Sequence, residues 1–223
     1  MTVVRATGDR HIDRRFPASV IGLSVVLFAL WMIDVLLPAE IGMIGQAELG
    51  FVPSALAAVL AGGGDPIRAV GLVTALFVHG SAWHLGGNLA YLWVFGIPVE
   101  RAIGALRFLV AFLVLGGLAN LSVVLGTPDL DRIVVGASGG VSAIIGLYLG
   151  LFPTRRIGLW LPLGLFLQFA RIPALLVIGS WFTLQLLYWV FGPMSGAVAW
   201  WTHVAGFFAG LGAAGLARLF GRR

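Results

Sequence analysis

Four polar residues lie within apolar stretches of the chain and have side chains that could carry out acyl transfer. His84 and Asn88 lie in HGSAWHLGGNLAYLWVFG, Ser138 in GASGGVSAIIG and His203 in WWTHVAGFFAGLGAAG. A serine beside a histidine is the minimum pair of nucleophile and general base, because the imidazole can take the hydroxyl proton and return it to the leaving group. The side chains of Asn88 and His84, and backbone N–H groups at a helix start, could donate to the oxyanion that such a reaction forms.

Each of these residues also has an ordinary structural explanation. A serine in a membrane helix commonly bonds back to its own helix. A histidine at a helix start often caps the helix, and repeated glycines are commonly plain helix packing. The catalytic interpretation therefore depends on whether the fold brings the four side chains together.

The composition indicates that these residues lie in a membrane. Of the 223 residues, 60% are hydrophobic and only 10% are charged, and the mean hydropathy is +1.02. A soluble domain has about a quarter charged residues. Soluble globular, disordered and collagen-like classes are therefore excluded, and so is nucleic-acid binding by a basic patch. The chain has no cysteine, which excludes disulfides, thiolate metal sites and a cysteine nucleophile.

Six apolar segments have the length needed to cross about 30 Å of hydrocarbon. They are residues 18–38, 81–99, 107–126, 134–152, 172–191 and 199–219. With six crossings, twelve of the 14 arginines fall on one side and only Arg68 and Arg132 on the other. Because arginine is enriched on the cytoplasmic side, both termini are predicted to be cytoplasmic. The sequence thus predicts an all-α bundle of six membrane helices over residues 18–220, with an N-terminal arm at 1–17 and a tail at 221–223.

Two connecting segments are apolar but too short to span. Residues 157–169 (IGLWLPLGLFLQF) contain Pro162 and cover less than the hydrocarbon thickness at 1.5 Å per residue. We expect them to return along the cytoplasmic face as an interfacial or packed segment. The external connection over 39–80 contains FVPSALAAVLAGGG, which fits either an interfacial helix or a flap over a site.

The predicted topology brings the polar residues to one depth. Even-numbered spans all run from outside to inside, so the two histidines, Asn88 and Ser138 lie toward the outer leaflet. Small residues repeat along one face of the fourth span and along one face of the sixth, and such faces let helix backbones approach closely in lipid. We therefore expect the fourth span to pack on the sixth, with Ser138 facing His203.

With these motifs in place, the chain resembles the rhomboid intramembrane serine proteases over roughly residues 67–215. The resemblance rests on GASG around Ser138, HLGGN from His84 to Asn88, HVAGFFAG from His203, and FGIPVERAIGALRF between the second and third spans. It implies a six-helix fold and a Ser–His dyad with Ser138 as nucleophile and His203 as general base. It also implies an oxyanion hole at His84, Asn88 and the backbone near Gly136. Implied substrates are transmembrane segments of other proteins, cut near the outer leaflet, with no metal or other cofactor.

The chain departs from the family pattern at two places. Many relatives carry an aromatic residue one turn after the nucleophile, packed against the base, and this position is Ser142 here. A Trp-Arg pair is often found before the second span, where this chain has Ile67 and Arg68. His79 matches a histidine common five residues before His84, and we expect it to stabilise the first external connection.

Two other classes of protein remain as alternatives. A catalytically silent relative would bind membrane-protein clients, but it would usually have lost Ser138 or His203. A transporter or channel would show internal repeats or charges along a pathway, whereas Asp34 is the only clearly intramembrane acid. The expected partners are transmembrane protein substrates and the lipid bilayer, without nucleic acid, and the oligomeric state is not predicted. All basic residues apart from histidine are arginines, and the chain is rich in alanine and glycine. This composition favours a bacterial plasma (inner) membrane.

Overall fold

The computed structural model describes residues 16–163, 166–191 and 195–220. Most of the predicted N-terminal arm and the predicted tail at 221–223 lie outside these ranges. The described helices, in chain order, are α1 (Ala18–Leu36), α2 (Ala39–Leu49), α3 (Pro53–Leu60), α4 (Gly71–Thr74), α5 (Ala82–Tyr91), α6 (Ile97–Ile103), α7 (Ala105–Gly126), α8 (Ser138–Leu151), α9 (Ala174–Phe191) and α10 (Ser195–Phe220). The strands are β1 (Arg156–Leu163) and β2 (Phe166–Pro173).

Each of the six predicted segments is mostly helical. In the described ranges, α1, α7 and residues 200–220 of α10 are long and apolar enough to cross a membrane, while α8 and α9 are shorter apolar helices. α5 continues through a π-helical turn at Leu92–Gly96 into α6, and this unit bends by 79° from the helical segment before it. The chain is thus a mostly helical integral membrane protein.

Helix α8 forms the centre of the bundle because its glycines leave room for two neighbours. Phe112 of α7 packs against Gly140 so closely that a Cβ there would lie 2.7 Å from the ring. On the other side, a Cβ on Gly146 would collide with the backbone carbonyl of Phe207, and one on Gly210 with that of Ala143. The predicted packing of the fourth span against the sixth is therefore confirmed.

The segment expected to return along the cytoplasmic face is built of two paired β-strands. β1 and β2 are antiparallel, with Arg156 opposite Pro173 and Leu163 opposite Phe166. The purely α-helical prediction is therefore wrong here. Pro162 disfavours a continuous helix, and pairing two strands satisfies backbone groups that an irregular apolar segment would leave without partners.

The external connection folds onto the bundle. Its apolar stretch is partly helical, as α3, and Leu56 packs in a buried cluster with Phe51 and, from α7, Val123 and Val124. The N–H of Phe51 donates to the carbonyl of Val134 at 3.1 Å, and the N–H of Val134 donates to the carbonyl of Phe51 at 2.8 Å. The connection is thereby joined to the segment that leads into α8.

Candidate active site

Ser138 is the first residue of α8. The loop before it is held by two hydrogen bonds that its backbone N–H groups donate. The N–H of Gly136 donates to the carbonyl of Ala75 at 2.8 Å, and the N–H of Ala137 donates to Nε2 of His79 at 3.4 Å. Gly136 has φ +131°, a backbone angle that residues other than glycine rarely adopt. The N–H of Ser138 belongs to the first turn of the helix, where backbone donors have no partner within the helix.

His84 and Asn88 lie one turn apart on α5, which begins at a serine cap. Ser81 is extended and its hydroxyl accepts from the N–H of His84 at 3.2 Å. The His84 ring lies over Gly136, where a Cβ would be only 2.5 Å from Cε1. Asn88 is buried, and its Nδ2 donor has no hydrogen-bond partner among the described residues.

His203 lies in the N-terminal half of α10 and is half-buried against side chains from α9. Its Nδ1 lies 2.8 Å from Oε1 of Gln185. The ring of Trp181 is 6.0 Å from the His203 ring, centroid to centroid, at an angle of 41°. Ser142 is buried and lines the same pocket.

These side chains surround one pocket, which has about 530 Å³ of space free of protein atoms, counting its open mouth. It is lined by Trp83, His84, Gly87, Asn88, Tyr91, Ser138, Val141, Ser142, Ile145, Trp181, Gln185 and His203. Four of the five predicted site residues thus line one cavity, and the fifth, Gly136, lies against His84. In the described structure the Ser138 hydroxyl is not hydrogen-bonded to His203, and contacts of this kind often tighten only when substrate binds.

The buried His79 supports the loop in front of Ser138. Burial, with a smaller contribution from the nearby His84, lowers the pKa of His79 to about 4, while the backbone of Phe77 opposes the shift. The ring is therefore neutral at pH 7 and can accept the hydrogen bond from Ala137. His79 therefore also contacts the loop before Ser138, in addition to lying in the connection to which the sequence analysis assigned it.

The sequence analysis did not assign Trp181 and Gln185 to the site, although both line the pocket. Trp181 and Gln185 are four residues apart on α9, hence on one helical face. A glutamine within an apolar span was a usable signal, because polar side chains in membranes need a partner. In the described ranges, no group of three or more histidine, aspartate or glutamate residues could hold a metal ion.

The site belongs to a region with known relatives. The sequence model of the Rhomboid domain matches residues 67–219. The chain is 30% identical to rhomboid protein 1, mitochondrial, of Saccharomyces cerevisiae, over 40% of the chain and 27% of the yeast protein. It is 31% identical to rhomboid-related protein 2 of Mus musculus, over 62% of the chain and 45% of the mouse protein. Rhomboid-related protein 3 of Homo sapiens is 32% identical over 34% of the chain and 19% of its own length. The chain thus matches less than half the length of each relative. Because the domain match covers most of the chain and includes the whole pocket, the chain belongs to the rhomboid family.

Proposed function

We propose that this protein is an intramembrane serine endopeptidase that cuts transmembrane segments of other membrane proteins near the outer leaflet. The observation that carries the proposal is the pocket. It joins Ser138 and His203, from two different helices, with the unpartnered amide donor of Asn88. A nucleophile, a base and an oxyanion donor facing one cavity are the parts that acyl transfer needs.

The proposed reaction uses these groups in a fixed order. The Ser138 hydroxyl attacks the carbonyl carbon of the peptide bond while its proton passes to Nε2 of His203. The tetrahedral intermediate collapses, the C–N bond breaks, and His203 returns the proton to the leaving amine. Water then attacks the acyl-serine with His203 again as base, which releases the carboxylic acid and restores Ser138.

The oxyanion is stabilised by donors on two sides of the pocket. Asn88 contributes the N–H that has no partner in the described structure, and leaving such a donor buried costs about 1–3 kcal/mol. His84 contributes a ring N–H, and Ser138 its own backbone N–H. The N–H of Gly136 already donates to Ala75, so Gly136 contributes space for the His84 ring.

The proposal includes a membrane topology, which rests on the distribution of the arginines. With six crossings and both termini in the cytoplasm, the second, fourth and sixth spans begin at the outer leaflet. The pocket, which lies near the starts of these spans, is therefore toward the outer leaflet. A substrate helix must unwind before its peptide bond reaches Ser138, so segments rich in Gly, Ala or Ser are the expected substrates. We keep the bacterial plasma membrane as the proposed location.

Labelling with a fluorophosphonate probe tests the proposal. Purified wild type is compared in lipid with Ser138→Ala and His203→Ala. We expect label on the wild type alone, with all three proteins folded. A folded, unlabelled wild type would instead favour the catalytically silent relative that binds membrane-protein clients.

A further inference from the structure

The hydrogen bond between His203 and Gln185 bears on how the proposed base is held. An imidazole acts as a base at Nε2 only if the proton of the neutral ring is on Nδ1. The partner of Nδ1 decides this, because an acceptor there favours the Nδ1–H tautomer. In this chain the atom 2.8 Å from Nδ1 is the amide oxygen of Gln185.

We propose that Gln185 is the positioning residue of His203, which fixes its ring orientation and its tautomer so that Nε2 can accept the Ser138 proton. This inference rests on the proposed function. Gln185 does not touch the reacting atoms, and it acts through His203 alone. Gln185 would thus take, with a neutral amide, the orienting role that a carboxylate has in serine-protease triads.

The packing around the imidazole supports this role. The ring of Trp181 lies 6.0 Å from that of His203, and the Trp181 side chain is 7% exposed. Trp181 therefore limits the rotation of the imidazole about its Cβ–Cγ bond, while Gln185 holds Nδ1. Ser142 on α8 is too small to pack against the ring in this way, so α9 supplies both restraints.

The position of Gln185 in the membrane also argues for a dedicated partner. The side chains before and after it on α9, Leu184 and Leu186, are exposed apolar groups. A glutamine in such a helix is costly unless its amide is bonded. The bond to His203 satisfies the amide oxygen within the pocket.

Two substitutions separate positioning from packing. Gln185→Met keeps an unbranched side chain of similar length but lacks the carbonyl acceptor. We expect kcat to fall about tenfold to a hundredfold with little change in KM, because the base is retained but less often in the required tautomer. Gln185→Glu keeps an acceptor oxygen and should rescue kcat. It should also move the acidic limb of the pH–rate profile upward by about one pH unit or more, because a carboxylate favours the protonated imidazole.

A spectroscopic readout tests the inference without relying on turnover. Ring nitrogens of His203 are observed by 15N NMR in protein with labelled histidine, and the signals are assigned by their loss in His203→Ala. We expect the Nδ1–H tautomer in the wild type and in the matched control Thr183→Val, which removes a polar group from the exposed side of the same helix. The Gln185→Met protein should show a mixture of tautomers.

The outcomes are distinguishable from those of the proposed function. An Nε2–H tautomer in the wild type, or identical spectra and kcat in wild type and Gln185→Met, would overturn the role of Gln185 and leave the Ser–His dyad standing. A wild type that takes no fluorophosphonate label would overturn the protease, whatever the tautomer. If the Nδ1–H tautomer of His203 is lost in Gln185→Met and Ser138 takes the label, the results support the role of Gln185 and the protease activity.

Discussion

The carboxylate of Glu100 accepts a hydrogen bond from the backbone N–H of Ser19, which lies 81 residues earlier in the chain, at 2.8 Å. Its second oxygen accepts from the N–H of Val20, also at 2.8 Å. The first N–H groups of a helix have no partner within it. Glu100, on α6 and only 4% exposed, therefore caps α1 from a different helix and ties the first membrane helix to the bundle.

Replacing this carboxylate should destabilise the fold. In Glu100→Gln one of the two oxygens becomes an N–H₂ group, which cannot accept from α1, so we expect a loss of about 1.5–3 kcal/mol. Thermal unfolding of wild type and variant in detergent measures this loss of stability. Glu48→Gln, at an exposed position of α2, is the control and should change stability by less than about 0.5 kcal/mol. Equal effects of the two variants would contradict the capping role.

Asn88 should show opposite effects on stability and on rate. Asn88→Leu removes a buried donor that has no partner in the described structure, so stability should stay the same or rise, while kcat falls about a hundredfold. Asn120 is the matched control because it is equally buried but donates to the carbonyl of Leu72 at 2.7 Å. Asn120→Leu should cost about 1–3 kcal/mol. A destabilised Asn88→Leu protein of unchanged rate would remove Asn88 from the oxyanion hole.

The contact between α8 and α10 should not tolerate a methyl group. In Gly210→Ala the new Cβ would meet the carbonyl oxygen of Ala143 and lie 2.9 Å from the backbone nitrogen of Leu147. We expect a cost of about 1–3 kcal/mol and reduced fluorophosphonate labelling, because the helices carrying Ser138 and His203 must move apart. Gly212→Ala, on the same helix with no atom within 4 Å of the added Cβ, should be neutral or slightly stabilising. A stable, fully labelled Gly210→Ala protein would contradict the observed packing.

His79 should make the protein less stable in acid. Its pKa is about 4 in the folded protein against 6.5 for an ordinary histidine, so the unfolded chain binds the proton first as the pH falls. The free energy of unfolding should therefore decrease between about pH 6.5 and pH 4, by up to about 3 kcal/mol from this group, and this loss should level off at lower pH. His79→Gln keeps an acceptor for Ala137 and should lack this contribution. Parallel pH curves for wild type and variant would contradict the prediction.

The sequence by itself determined the membrane location, most of the helical segments and four of the residues that line the pocket. Hydropathy and the spacing of apolar residues are local properties, so the six segments could be recognised directly and each is mostly helical. The glycines at Gly146 and Gly210 also indicated which helices touch, because a missing side chain is visible in the sequence. The pairing of α8 with α10, together with the predicted six-span topology, led to the expectation that Ser138, His203, His84 and Asn88 lie at one depth.

Only the tertiary structure decided which polar atoms find partners. The N–H of Gly136 donates to the carbonyl of Ala75, whereas the side-chain donor of Asn88 finds no partner among the described residues, and nothing local to either residue distinguishes them. The same holds for Gln185, whose amide meets His203 only because α9 packs beside α10 with that face inward. The pair of β1 and β2 likewise depends on two strands meeting. Hydrogen-bond partners of buried groups depend on the detailed geometry of helix packing, and the glycine pattern indicates only which helices touch.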